Sequence, residues 1–325
     1  MINIINYRKI YFILSGILVT VSIFAFGFWG LNLGIDFTGG SLLEIEYVDD
    51  RPRISAIQEK LASLELGDVV VQPIGDKSML LRFKSVSEEE HQNILNRLRE
   101  NNKSEEKNKD LADVEEIEKE EIIESIETGG GSNKIIEKRF DSIGPVIGQE
   151  LKKKTIYAIM IALVVIILYI AWAFRKVSNP ISSWKYGVIA IVALFHDIII
   201  VVGIFVFLGK FCSIEINTPF VAALLTILGY SVNDTIVIFD RVRENLKNYD
   251  YNFENTINKS VNQNLLRSFY TSLTTLLVLF SLLFFGGDTI KSFVLVLIAG
   301  IISGTYSSIF LASPLLAVWE KINKK

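Results

Sequence analysis

Asp234 follows Asn233 and closes the run TPFVAALLTILGYSV (218–232), so an ionisable carboxyl is attached to a stretch that is otherwise almost wholly apolar. A carboxylate inside a membrane helix costs about 2.5–3.5 kcal/mol on insertion scales, and such a residue normally faces a protein interior or a water path. Function is therefore the default expectation for Asp234. A partner is available in a second apolar stretch, where Arg267 is followed by Tyr270, Thr271, Thr274 and Thr275 at helical spacing, one polar stripe on an apolar helix. The chemistry that an Asp234–Arg267 pair offers is reversible protonation, because burial and a neighbouring guanidinium act in opposite senses on a carboxyl. The bland alternatives are a static salt bridge between two helices, or Arg267 snorkelling to the interface.

A second ionisable pair, His196 and Asp197, sits in ALFHDIIIVVG. Adjacent residues point about 100° apart on a helix, so the two need not share one cavity. Chains of Asp and His serve as proton relays in membrane pumps, whereas a lone buried histidine is often only a packed hydrogen-bond donor. Both readings stay open. Asp240, Arg241, Arg243 and Glu244 lie beyond the apolar run and are expected to emerge into water.

The elements that must position these residues are membrane helices. Half of the 325 residues are hydrophobic, and they gather in blocks. A hydrocarbon core of about 30 Å needs roughly 20 apolar residues in a helix. Six runs qualify, at about 11–30, 155–174, 184–207, 218–239, 266–286 and 290–318. The first is too long for a signal-peptide core and lacks a small-residue cleavage site, so it is expected to remain as an anchor. Lysine and arginine in short loops mark the cytoplasmic side. Arg8 and Lys9, the loop with Arg175, Lys176 and Lys185, the loop with Arg241, Arg243, Lys247 and Lys259, and the terminal Lys321, Lys324 and Lys325 place both termini there. Lys152, Lys153 and Lys154 disagree, but they follow a long domain, and long domains translocate largely regardless of charge. Gly300, Gly304 and Ser308 form a small-xxx-small ridge suited to close helix packing.

Three pieces result: 1–30 with the first span, 31–150 as an extracytoplasmic domain, and 151–325 with spans two to six. In the domain, SLLEIEYV, VVVQPIG, SMLLRFKSV and NKIIEKRFD read as strands, while ISAIQEKLASL and SEEEHQNILNRLREN read as helices, the second opened by a Ser-x-x-Glu capping pattern. The order β-α-β-β-α-β predicts a ferredoxin-like α+β sandwich. Residues 102–132, rich in Glu and Lys and closed by Gly129, Gly130 and Gly131, read as an exposed insertion. The lone Cys212 excludes an intrachain disulfide or a cysteine metal cluster, and no phosphate loop, nucleophile elbow or H-E-x-x-H motif occurs. Neither enzymatic activity, nor a metal or other cofactor, nor nucleic-acid binding is expected.

GLNLGIDFTGGS after the first span, SIGPVIGQEL before the second, ALFHDIII in the third, YSVNDTIVIFDRVREN in the fourth and LLRSFYTSLTT in the fifth are together specific. In these motifs the chain resembles the SecF subunits of the SecD/SecF family, bacterial inner-membrane proteins similar in architecture to half of an RND transporter. The resemblance implies a partnership with SecD, work beside SecYEG and YajC on unfolded polypeptides after SecA, and use of the proton gradient, with Na+ as the alternative coupling ion. It places the family's essential carboxylate on Asp234 and its membrane arginine on Arg267. Read from their positions in the spans, Asn233, Thr271, His196 and Asp197 are further candidates for a proton pathway. Gly34, Asp36, Gly39 and Gly40, with Gly144 and Pro145, are the candidate structural motif. The insertion departs from the family pattern. An RND-type exporter of small molecules or lipids would need larger porter domains than these roughly 120 residues, and a purely structural scaffold for SecD would not need Asp234 or Arg267.

Overall fold

The computed structural model describes residues 2–99, 135–173, 175, 183–248 and 252–323. The expected insertion at 102–132 lies outside these, as do Lys176, Lys324 and Lys325. In chain order, α1 (Arg8–Trp29) is followed by α2 (Ile35–Thr38), β1 (Gly40–Tyr47), α3 (Ile54–Leu61), β2 (Val70–Ile74), β3 (Ser78–Phe83), α4 (Glu88–Arg99) and β4 (Ile135–Ile143). Then come α5 (Pro145–Ala173), α6 (Ser183–Cys212), α7 (Thr218–Asn248), α8 (Phe253–Phe285), α9 (Asp288–Tyr306), a π-helical segment (Ser307–Ala312) and α10 (Ser313–Asn323). They form two units, 1–34 with 153–325 and 35–152.

The smaller unit is the ferredoxin-like domain. Its antiparallel sheet has the order β2-β3-β1-β4. Alternation along β1 and β3 sends Leu43, Ile45, Met79 and Leu81 to one face, where Ile57 and Leu61 of α3 and Ile94, Leu95 and Leu98 of α4 close the core. The capping pattern forms: the Ser87 N–H donates to Glu90 Oε2 at 2.8 Å, and the Glu90 N–H donates to Ser87 Oγ at 3.4 Å. Gly39 and Gly40 have φ of +74° and +123°, conformations that L side chains rarely adopt. A Cβ on Gly39 would meet Pro145 Cα at 2.8 Å, and one on Gly40 would meet the Phe83 carbonyl oxygen at 2.9 Å. The pair therefore lets the start of β1 lie against the first turn of α5. Pro145 opens that helix, where its missing N–H costs nothing, and the Gly144 carbonyl accepts from Gly148 N–H at 3.1 Å. Asp36 lies in α2 beside this junction in sequence.

The larger unit is a helical bundle. Among the described residues six helices are long and apolar enough to span, Ile5–Trp29, Pro145–Ala173, Trp184–Cys212, Thr218–Leu246, Phe253–Phe285 and Ile290–Ile322. In the most apolar window of each, 44, 50 and 61 % is buried in the third, fourth and sixth, against 6 % in the second, so α6, α7 and the α9–α10 span are the interior while α5 is peripheral. The glycine ridge lets α9 lie close against α7: a Cβ on Gly300 would overlap the Ile227 side chain, and one on Gly304 would come within 3.0 Å of Ser231 Cβ. At the end of the bundle away from the termini, Gly34 N–H donates to the Ile216 carbonyl at 2.7 Å, and Ile216 N–H to the Asn32 carbonyl at 2.8 Å.

At the end that holds the termini, the helices outrun their apolar stretches. Arg241 and Arg243 belong to α7 and Lys259 to α8, not to the loop expected there, because polar pairs continue the two helices side by side. Asn245 Nδ2 donates to Ser260 Oγ at 2.8 Å and to Gln263 Oε1 at 2.9 Å, and Arg241 Nε also reaches Gln263 Oε1 at 2.8 Å. Lys185, expected in a loop, is buried within α6, with its ammonium 5.9 Å from the Trp184 ring centre; a long aliphatic stem makes that burial affordable. The chain start is strapped to α8. Asn262 receives the Ile2 N–H on Oδ1 and donates Nδ2 to the Ile2 carbonyl, both at 2.8 Å, while Asn258 Oδ1 accepts from Ile4 N–H at 2.9 Å and Arg8 pairs with Glu254 at 2.7 Å.

Candidate functional site

Asp234 lies midway along α7 and turns toward α8. Its Oδ1 accepts a hydrogen bond from Ser268 Oγ at 2.7 Å, while Oδ2 is buried and has no hydrogen-bond partner. The expected contact with Arg267 is different in kind. Among the described residues no ion pair joins the two side chains, because Arg267 and Ser268 point about 100° apart on α8 and the serine takes the inward position. Arg267 is exposed and lines a cavity of about 410 Å³ with Val237, Asp240, Arg241, Glu244 and Asn264, one turn from Asp234 toward the end that holds the termini. From there it stays within electrostatic reach of the carboxylate.

The polar stripe read on α8 is correspondingly displaced by one residue. Thr271 donates to the Arg267 and Ser268 carbonyls at 2.9 and 3.0 Å, and Thr274 and Thr275 likewise bond back to their own helix. Tyr270 is exposed, as is Asn233 on α7. The buried stripe is Ser260, Asn264, Ser268 and Ser272, each four residues apart. It meets Asn245, Asp234, and the Tyr230 hydroxyl and Thr305 at 3.3 and 2.6 Å from Ser272. A spacing of four was the signal available in the sequence.

The second pair is drawn together more tightly than helix geometry alone suggests. Asp197 is wholly buried on α6, and rotamers bring His196 Nδ1 to 3.0 Å from its Oδ1 in spite of the angle between the two Cβ directions. Three hydroxyls complete a cage: Ser303 donates to Oδ1 at 2.8 Å, and Ser231 and Ser307 donate to Oδ2 at 2.6 and 2.7 Å. None of these serines stands out in the sequence, although Ser303 and Ser307 flank Gly304 at helical spacing. The small ridge is what admits Ser231 of α7 close enough to share the carboxylate with α9. Beside the cage, Thr235 and Ser308 lie 2.7 Å apart, and the π-helical segment begins at Ser307 itself, a helix irregularity frequent at functional sites. Among the described residues no three His, Cys, Asp or Glu side chains converge in a way that could hold a metal ion.

The model of the SecD/SecF C-terminal protein-export membrane domain matches residues 122–322, and that of the SecD/SecF GG motif matches 21–50. The chain belongs to the SecD/SecF family. Within it, the chain is 41 % identical over 98 % of its length to a protein translocase subunit SecF of Thermobaculum terrenum, covering 94 % of that protein, and 37 % identical over 99 % to the SecF of Sebaldella termitidis, covering 93 %. Among solved structures it resembles SecDF of Thermus thermophilus, described as a translocon-associated membrane protein, with a TM-score of 0.75 and 29 % identity over 98 % of this chain. That chain is longer, and 39 % of it is covered. The GG-motif match contains Gly34, Asp36, Gly39 and Gly40, and thus the two glycines whose positive φ opens β1.

Proposed function

We propose that this multi-pass membrane protein of the protein-export machinery is a proton-driven subunit acting at Asp234. The observation that carries the reading is the asymmetry of its carboxyl: one oxygen is tied to Ser268 and the other is buried without a partner, one turn from a cavity lined by Arg267. A proton arriving at Oδ2 removes the charge that holds the local arrangement, and each proton moving with the membrane potential supplies about 2.3 kcal/mol per 100 mV to tilt a two-state bundle. The Ser268 hydroxyl can follow by rotating, since it is donor and acceptor alike.

In this reading the chain is not an enzyme. It works with SecD, which supplies the half that the longer SecDF structure contains, and beside SecYEG and YajC promotes late export after SecA, its outer domain acting on unfolded polypeptide. Arg8, Lys9, Arg175 and Lys321 support cytoplasmic termini in the bacterial inner membrane. The test is export in inverted membrane vesicles with proton and sodium gradients varied separately. Asp234→Asn is expected to insert and bind SecD normally while abolishing stimulation by the proton gradient. Undiminished stimulation in that variant, or stimulation by sodium alone in the parent, overturns the reading.

A further inference from the structure

We propose that His196 and Asp197 form a second proton-binding site in the bundle, in which the three serines surround Asp197 as hydrogen-bond donors and His196 Nε2 is the atom that takes the proton. This deepens the proton-driven reading above and shares its premise that protons reach the bundle interior.

Each Asp197 oxygen already receives two hydrogen bonds, from His196 Nδ1 and Ser303 on Oδ1 and from Ser231 and Ser307 on Oδ2. An ionised carboxylate offers about four acceptor positions, and all of them are used. A proton on Asp197 would oblige one serine hydroxyl to turn from donor to acceptor, as Ser307 can by donating to the Gly304 carbonyl at 3.1 Å, so the carboxylate is the form that accepts from all four neighbours at once. The cage is therefore built for the charged form, and a buried charge needs compensation.

The imidazole can supply it. With Nδ1–H donated to Asp197, a neutral ring keeps its lone pair on Nε2. That atom is buried and has no hydrogen-bond partner. Protonation there makes an imidazolium–carboxylate pair and takes the cluster from one net negative charge to none, with no hydrogen bond in the cage broken. The titratable groups facing His196 are few. Its own helix presents Asp197, and α9 presents Tyr306, whose ring lies nearly parallel at 6.2 Å. Tyr306 is itself engaged with α1, donating to the Tyr11 carbonyl at 3.2 Å and accepting from Ser15 at 3.3 Å. From α7 comes the uncharged Ser231, since Asp234 turns to Ser268.

The chain has only two histidines, so ¹⁵N NMR of the histidine-labelled full chain with its SecD partner in lipid reads the site directly. His196→Gln assigns the signals, and His91→Gln serves for assignment if that variant fails to fold. At the high end of about pH 5 to 8, His196 should carry a proton on Nδ1 alone. At the low end it should carry a second on Nε2. Asp197→Asn, lacking the counter-charge, should lose the second protonation at a pH where the parent has it. A parent ring that stays singly protonated throughout, that carries its neutral proton on Nε2, or that protonates equally well in Asp197→Asn overturns the proposal. None of these readouts uses a gradient or export, so their failure is separable from failure of the Asp234 reading.

Discussion

Two carboxylates sit in one bundle and are treated oppositely. Asp197 is gripped by four donors from α6, α7 and the α9–π segment, and no acceptor position is left over. Asp234, on a helix that also lines the Asp197 cage, has one serine and one bare buried oxygen. A filled carboxylate is costly to disturb and fixes the helices around it. A half-filled one can exchange partners at little cost, which is what a switch requires. Asp197 is wholly buried and faces three serine hydroxyls, whereas Asp234 is partly exposed near a cavity lined by charged residues and faces one.

The comparison is broken most directly by removing each carboxylate in turn. Asp197→Ala strands three hydroxyls and an imidazole, and its loss of stability should be about 3–5 kcal/mol, the range for breaking a buried charged network. Asp234→Ala should cost only about 1 kcal/mol, one hydrogen bond's worth. Thermal unfolding of the two variants in the same detergent checks this, and equal losses would end the distinction. Next in size, Gly304→Ala should push α9 off Ser231, costing about 1–3 kcal/mol as overpacking does; its effect should shrink in a Ser231→Gly background, which leaves only the Ser231 Cα within 3.2 Å, and double-mutant unfolding can read the difference. Ser268→Ala should be smaller still, about 1 kcal/mol, yet should alter the gradient dependence of export by freeing the second Asp234 oxygen's neighbour.

An effect of the same size in the ferredoxin-like domain offers a contrast away from the two bundle carboxylates. The backbone N–H and hydroxyl of Ser87 hold the Glu90 carboxyl below its usual range. A folded value depressed in this way contributes stability that is present above the unfolded carboxylate value of about 4.3 and is lost as pH falls through the folded value. Ser87→Ala should weaken the α4 cap by about 1 kcal/mol, and amide exchange along α4 should show its excess over the parent shrinking as the solution is acidified through that window.

Where local chemistry decides structure, the sequence was sufficient. The Ser87–Glu90 cap, the alternation of β1 and β3, the apolar runs and the Gly300–Gly304 ridge all follow from spacing within one element. What spacing did not reveal was which face of α8 turns inward. Tyr270 and the threonines look like the polar face, but threonine in a helix can satisfy itself on the preceding turn, whereas Ser260, Ser268 and Ser272 reach across. The same limit hid the cage: Ser231, Ser303 and Ser307 are ordinary residues until three helices bring them to one carboxylate. The extension of α7 and α8 past the membrane run was also missed, because Asn245 and Gln263 stabilise it only as a pair.

The strap between Ile2 and Asn262 has a practical consequence for anyone engineering the chain. A backbone amide and carbonyl at residue 2 are spoken for, and the next turn is held by Asn258 and Glu254. Fusion of a purification handle or fluorophore at the front of the chain is therefore expected to disturb the anchoring of residues 2–8 on α8, while the same handle behind α10 does not touch these bonds. Reporters for topology or assembly belong at the rear.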